Sequence, residues 1–419
     1  MQFDIVIFGA SGFTGKKVVE EISRGRAKYA GVTWAVAGRS EAKLQSLLSD
    51  ISAKYGVDIS GIKIIIADVS DQSSLTSMCR QAKVLLNCCG PYRLYGEPVV
   101  RAALEAKTHY VDITGEEDFM GTMQIKYDNE ARQAGIYVIS ACGFDSIPND
   151  MGVIFLEKNF QGTLHSVESY LSLSTVKEYQ KEARKSGVLN FGTWESLVYV
   201  FANFTEILKL RSKLYPKNES TYKPKLKQRY IHKQNGKWAV PLVSPDGSIV
   251  KRTQHRLLET NNKRPVQFQP YIVLPSISYV FLLGIITMFV GILSKFKYGR
   301  ALLLNKPEWF SLGLVSKQGP TQAVMDNTCF TFEMFGRGWD MGQDTEASEP
   351  KKTVIAKVSA MDPAYGFTSL ALVQSAIAIL KEKHKMPSTG GVFTSGAAFW
   401  KTSLVAKLQE NNVKFEIFY

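Results

Sequence analysis

The sequence predicts an α/β architecture: a doubly wound parallel sheet over residues 1–150, followed by a second α+β domain with a mixed sheet and a hydrophobic insert. Three observations predict it. Short runs of β-branched residues alternate with amphipathic stretches up to about residue 150, the pattern of parallel strands and crossover helices. A glycine turn, Gly9-Ala10-Ser11-Gly12-Phe13-Thr14-Gly15, follows the first of those runs directly. Past Asp150 the alternation stops, as it does in an α+β domain.

Residues 3–8 (FDIVIF) read as a buried strand, and residues 13–22, with Val18, Val19 and Ile22 near helical spacing, as the helix after it. A helix N-terminus offers unpaired amides and a partial positive charge, and glycine lets a pyrophosphate approach the backbone. The spacing is G-x-x-G-x-x-G rather than G-x-G-x-x-G, a variant of the dinucleotide fingerprint. Gly9, Ser11, Gly12, Phe13, Thr14 and Gly15 are therefore cofactor-binding candidates; the bland alternative is a tight turn with no ligand.

A second strand, residues 33–37 (TWAVA), runs into Gly38-Arg39-Ser40. An acidic residue here would bond a ribose 2′-hydroxyl, whereas an arginine accommodates a 2′-phosphate. Arg39 and Ser40, with Lys43 one turn on, favour NADP; NAD is the alternative, with Arg39 then an ordinary exposed arginine. Residues 62–67 (IKIIIA) make a third strand ending at Asp68, beside the adenine edge. Residues 84–87 make a fourth, followed by Cys88-Cys89-Gly90-Pro91-Tyr92, with Gly90 and Pro91 on the nicotinamide side. Residues 110–113 and 136–140 complete six strands, and helices are expected over residues 40–55, 72–81, 97–106 and 117–133. This is a Rossmann-type sheet, whose ligands bind at the carboxyl ends of the strands, so Gly9, Arg39, Asp68, Gly90, Thr114 and Gly143 surround one crevice.

Nicotinamide chemistry needs a positioned proton donor from the protein. Tyr92 is the first candidate, and Asp145 and Cys142, after the sixth strand, are the second. Each has a competing structural role: Tyr92 in packing, Asp145 as a helix cap near Pro148.

The second domain is expected over residues 151–365, and residues 366–419 as a C-terminal segment returning to the first domain. Residues 167–174, 329–335 and 353–358 read as strands, 193–210 as an amphipathic helix, 223–237 as a basic loop and 367–381 as a buried helix. A glycine turn at Gly390-Gly391, a helix over residues 403–409 and a strand over residues 414–418 close the chain.

Residues 205–300 hold 18 Lys/Arg against 4 Asp/Glu, enough to account for the whole-chain net charge of +13. Such a patch suits a polyanion or an anionic membrane surface. Nucleic acid is not expected, because no reading module accompanies it. Instead the run that begins at Tyr271 and ends at Leu293 (residues 271–293) contains no charge and is flanked by Lys263, Arg264, Lys295, Lys297 and Arg300. A continuous helix of that length would extend about 34 Å, enough for a bilayer core, but Pro275 interrupts it and residues 276–293 reach only about 27 Å. Basic flanks at both ends prefer one side of a membrane, so an embedded surface segment or re-entrant hairpin competes with a buried core helix. The five cysteines show no metal-ligand spacing and read as reduced thiols; no metal is expected, and with no basic leader before the first strand the protein reads as not secreted.

The motifs FGASGFTG, AVAGRS, NCCGPYRLYGEPV, YVDITGE, GFDSIPND, SKQGPTQ and GGVFTSGAAF together resemble the saccharopine dehydrogenase-like oxidoreductases of animals, across nearly the whole chain. The wider group includes bacterial trans-acting enoyl reductases. The resemblance implies a Rossmann domain, a mixed-sheet domain, and association with lipid droplets or the cytosolic face of the ER-type membranes they bud from. True saccharopine reductases carry glycine-leucine-aspartate-proline-glycine where this chain has Gly143-Phe144-Asp145-Ser146-Ile147, and the apolar insert argues for a hydrophobic substrate rather than saccharopine. The expected function is an NADP-dependent oxidoreductase acting on an apolar carbonyl or enoyl lipid. The alternative is a catalytically silent, cofactor-binding droplet scaffold or sensor.

Overall fold

The computed structural model describes residues 2–25, 28–215 and 221–419. Its first elements are β1 (Phe3–Phe8), α1 (Phe13–Arg24), β2 (Trp34–Gly38), α2 (Glu41–Tyr55), β3 (Lys63–Ile66), α3 (Gln72–Cys79), β4 (Ala82–Asn87), α4 (Tyr92–Ala106), β5 (His109–Asp112), α5 (Glu117–Ala134) and β6 (Tyr137–Ile139). Then come α6 (Ile147–Lys158), β7 (Gly162–Thr175), α7 (Gln180–Ser186), β8 (Leu189–Asn190), α8 (Phe191–Ala202), α9 (Phe204–Leu214), β9 (His232–Gln234), β10 (Lys237–Pro241), α10 (Asp246–Asn261), β11 (Gln267–Leu274) and α11 (Ile277–Ser294). The chain continues through α12 (Lys297–Asn305), α13 (Pro307–Phe310), β12 (Val315–Ser316), α14 (Gln322–Asp326), β13 (Thr328–Asp340), β14 (Lys352–Met361), α15 (Thr368–Glu382), β15 (Gly391–Phe393), α16 (Ser395–Phe399), α17 (Leu404–Gln409) and β16 (Lys414–Phe418). One compact unit takes the chain up to Phe144 together with Tyr365–Leu408, and the other takes Asp145–Ala364 with Gln409–Tyr419.

The first unit is a parallel sheet in the order β15-β6-β5-β4-β1-β2-β3. Its strands are covered on both faces, which is why they read as unbroken apolar runs: Ile5, Val6, Ile7, Val36, Val84, Leu85 and Leu86 are fully buried. Helix α1 turns Val18, Val19 and Ile22 inward, each such side chain contributing roughly 1.5–3 kcal/mol of burial. Strand order reverses between β1 and β4, the switch point at which such sheets take ligands.

Local pattern misses three things here. Helix α4 begins at Tyr92 rather than near residue 97, because a carboxylate from a distant loop caps it: Glu116 accepts the amides of Tyr92 and Arg93, both at 2.9 Å. Strand β15 falls where a turn is expected; three residues carry no periodicity, and pairing with β6 makes them a strand. Strand β16 pairs with β14 of the second sheet, so of residues 366–419 only the portion to Leu408 lies in the first unit.

The second unit carries a mixed sheet in the order β16-β14-β13-β7-β11-β10-β9, antiparallel except where β7 meets β11. Helices α6 and α10 pack on it. The expected helix over residues 193–210 is broken into α8 and α9 at Asn203, whose side-chain amide donates to Tyr199 O. The basic loop yields β9 and the start of β10, and residues 216–220 of the basic segment lie outside the described residues.

The apolar run is not one helix. Its first residues finish β11, where Tyr271 is fully buried, and α11 starts after Pro275. One face of α11 (Ile286, Val290, Leu293) packs with Trp194 and Val198 of α8 and Leu303 of α12, and the Trp194 indole donates to Leu303 O at 2.9 Å. On the opposite face Phe281, Ile285, Met288, Phe289 and Ile292, spaced as one helical stripe, are each more than half exposed.

Candidate functional site

The turn after β1 is built around Gly9. It adopts φ +76°, and its amide donates to Ala37 O at 3.0 Å. Gly12 N donates back to Gly9 O at 2.9 Å, which closes the turn and leaves Gly12 as the N-cap of α1. A Cβ on Gly9 would stand 3.0 Å from the backbone of Cys88 and Cys89 at the end of β4, so glycine lets the two switch-point strands meet. The amides of Phe13, Thr14 and Gly15 open α1 without helical acceptors, and no acidic residue occupies that first turn. Gly12 and Phe13 are exposed, Ser11 and Thr14 half-buried. This end of the helix is suited to an anion.

Arg39 follows β2 directly and is exposed; among the described residues it makes no ion pair. Ser40 caps α2 by accepting Lys43 N. Asp68, after β3, accepts from the Ser70 amide at 2.9 Å and hydroxyl at 2.7 Å. Those bonds, with a smaller contribution from Arg39, hold its carboxyl below the usual range. Asp68 and Arg39 thus face a common space at the carboxyl ends of neighbouring strands.

On the other side of the switch point Gly90 is exposed and Pro91 half-buried, but Tyr92 is turned inward. Its hydroxyl donates to Asn87 O at 2.8 Å, its ring packs against Phe119, and burial followed by the charge of Asp112 raises the phenol far above its ordinary range. In this arrangement the Tyr92 hydroxyl is engaged at the end of β4. Cys142 is also fully buried, with its thiol directed at Ile139 O. Asp145 differs. It opens the second unit half-buried, and burial, then the neighbouring charge of Asp246, pushes its carboxyl up to about 7.

The network that Tyr92 joins is the part that residue pattern alone does not reveal. Asp112, fully buried, accepts from Thr114 N and Ala141 N on one oxygen and from Tyr110 and Ser140 hydroxyls on the other, all within 3.0 Å. Asn87 donates to the Tyr110 hydroxyl and accepts from Cys89 N. These bonds lock the ends of β4, β5 and β6. The available signal was a lone carboxylate ending an apolar strand, in Tyr110-Val111-Asp112.

A nicotinamide dinucleotide phosphate fits these residues. The glycine turn is a cradle that a side chain at Gly9 or Gly12 would crowd, the α1 amides suit a pyrophosphate, and among the described residues Arg39 makes no ion pair and is exposed to receive a phosphate. Residues 5–139 match the saccharopine dehydrogenase NADP binding domain family. Over 99% of its length the chain is 39% identical to the saccharopine dehydrogenase-like oxidoreductase of Homo sapiens, covering 97% of that protein. It is 36% identical, over 99% of this chain and 98% of the other, to the lipid droplet localized protein of Caenorhabditis elegans. In fold it is similar to apo saccharopine dehydrogenase (L-Glu forming) from Saccharomyces cerevisiae, with a TM-score of 0.56 and 14% identity over the whole of both chains.

Proposed function

We propose that this chain, which belongs to the saccharopine dehydrogenase-like oxidoreductase family, acts on an apolar carbonyl or enoyl substrate at the surface of a lipid droplet or the cytosolic face of an ER-type membrane. It is an NAD(P)-dependent oxidoreductase that binds NADP. The hydride chemistry is the bound cofactor's, and the protein supplies binding, orientation and a proton. Gly9, Ser11, Gly12, Phe13, Thr14 and Gly15 hold the pyrophosphate, Arg39 and Ser40 the 2′-phosphate. Asp68, Gly90 and Pro91 border the same crevice.

The observation that carries the lipid reading is the bare stripe on α11. Burying half-exposed Phe, Ile and Met side chains in hydrocarbon contributes roughly 1 kcal/mol each. Phe296, Tyr298 and Trp309 are exposed nearby, and so are Lys295 and Lys297, the mixture of a segment lying in a headgroup layer. A span is disfavoured because α11 would have to leave α8 and α12. The worm relative's name points the same way.

The test is turnover of NADPH with hexadecanal or trans-2-hexadecenal carried in phospholipid-coated triolein droplets, against propanal in buffer. The proposal expects the droplet-borne chains to react faster. Equal rates would remove the lipid assignment, and residence of a fluorescent fusion in mitochondria would remove the localisation.

A further inference from the structure

Beside the stripe on α11 the second unit exposes further apolar side chains and a set of cations that no carboxylate answers. Helix α9 turns Ile207 inward and leaves Phe204 and Leu208, one turn apart, nearly half exposed. Its start lies at the C-terminal end of α11: Lys295 Nζ donates to Ala202 O at 3.3 Å, and a Cβ on Gly291 would stand 3.9 Å from the Phe201 ring. Helix α12 folds back onto the same end. A Cβ on Gly299 would stand 2.2 Å from Leu293 O, and Arg300 Nη1 donates to Ser294 O at 2.8 Å. Phe296 and Tyr298, at that fold, are well exposed.

Positive charge is concentrated around these side chains. Residues 204–214 contribute three Lys/Arg and residues 295–310 four, against Glu206 and Glu308 alone among the acids. Lys209, Lys213, Lys295, Lys297 and Lys306 are exposed, and among the described residues none of them pairs with a carboxylate. Lysines of the first unit are placed differently: Lys17, Lys54, Lys83 and Lys126 each reach an Asp or Glu within 3.2 Å. Apolar side chains flanked by unanswered cations suit neither neutral hydrocarbon alone nor a soluble polyanion alone. They suit an interface whose hydrocarbon lies just below negative headgroups, where a lysine keeps its stem in the apolar layer and its ammonium at phosphate level.

We propose that α9 and α12, with the bare face of α11, form one surface that selects lipid surfaces bearing anionic phospholipid over zwitterionic ones. The α11 stripe inserts, and Lys209, Lys213, Lys297 and Lys306 read the headgroup charge. The inference rests on the proposed attachment to a lipid surface and adds to it the kind of lipid recognised. Residence then follows lipid charge: a droplet or membrane whose outer leaflet carries more anionic phospholipid recruits more protein.

Flotation of the full chain with triolein droplets tests the selection, the droplets being coated with phosphatidylcholine alone or with about 30 mol% phosphatidylserine added. The anionic droplets are expected to bind about 20-fold more tightly, an advantage that about 0.5 M salt largely removes. Lys209→Gln with Lys297→Gln should lower affinity for the anionic droplets about 10-fold and leave phosphatidylcholine binding, NADP affinity and melting temperature at wild-type values. Arginine at both positions should restore the affinity. Equal binding to the two coats, or no loss in the glutamine variant, overturns the selection while the surface attachment stands; binding to neither coat overturns both. Phe281→Ser with Phe289→Ser should also abolish binding to the anionic droplets. Retained binding would make the cations a site for a soluble polyanion and overturn the proposal.

Discussion

Gly15 lies so close to Gly9 that a methyl group on it would stand 2.2 Å from the Gly9 carbonyl oxygen. Helix α1 can therefore approach the end of β1 only with glycine at this position. Gly15→Ala should push the helix off the turn and weaken NADP binding at least 10-fold while lowering the melting temperature. Gly12 is exposed, so Gly12→Glu should leave the fold standing and weaken binding about 100-fold by placing a carboxylate where the phosphates go. Calorimetric titration of both variants checks this; wild-type affinity in Gly12→Glu would remove the phosphate assignment.

Arg39 reads the 2′-phosphate if the arrangement at the end of β2 is functional. Losing charge-assisted hydrogen bonds costs about 1.5–3 kcal/mol, so Arg39→Ala should raise the Kd for NADP about 10- to 100-fold. NAD affinity should move less than 2-fold. Equal losses for both would assign the preference elsewhere.

Asp112 makes stability depend on pH. Burial raises its carboxyl to about 6 from the usual value near 4, and the four donors around it only partly offset that. A folded-state pKa above the unfolded one means the contribution is fully present below pH 4 and is lost as pH rises through 6, by up to about 3 kcal/mol. Asp112→Asn keeps the oxygen that accepts Thr114 N and Ala141 N and turns its NH2 to the Tyr110 and Ser140 oxygens. Denaturant midpoints for this variant should vary less between pH 4 and 7 than those of the wild type; an unchanged pH profile would contradict the assignment.

Tyr92→Phe removes only a hydroxyl held by Asn87 O. It should cost about 1 kcal/mol of stability and leave kcat within about 3-fold. A loss of several hundred-fold would restore the phenol as a proton donor.

The two faces of α11 should separate cleanly. Phe281→Asp with Phe289→Asp alters only the exposed stripe, so the double variant should stop floating with triolein droplets while its melting temperature and NADP affinity hold. Val290→Ala, on the face packed against α8, should cost about 2 kcal/mol and leave flotation intact.

Much of the first unit was legible because its strands are buried on both faces and its glycine turn has a fixed spacing; β1 through β6 and Arg39 follow from local pattern. The site's far wall was not. Tyr92 sits in sequence where a donor would, but the Asn87 carbonyl decides where its hydroxyl points, and Glu116 decides where α4 begins. The apolar run shows the same limit: Pro275 marks the break, yet only packing against Trp194 tells which face of α11 is bare.

The most direct measurement is label transfer. Protein incubated with NADPH deuterated at the transferable C4 position and a total lipid extract of droplets should pass deuterium into a lipid product, detectable by mass spectrometry. A lipid fraction free of label, from protein that still binds NADPH, would mean that this fold keeps the cofactor without turning it over on lipids.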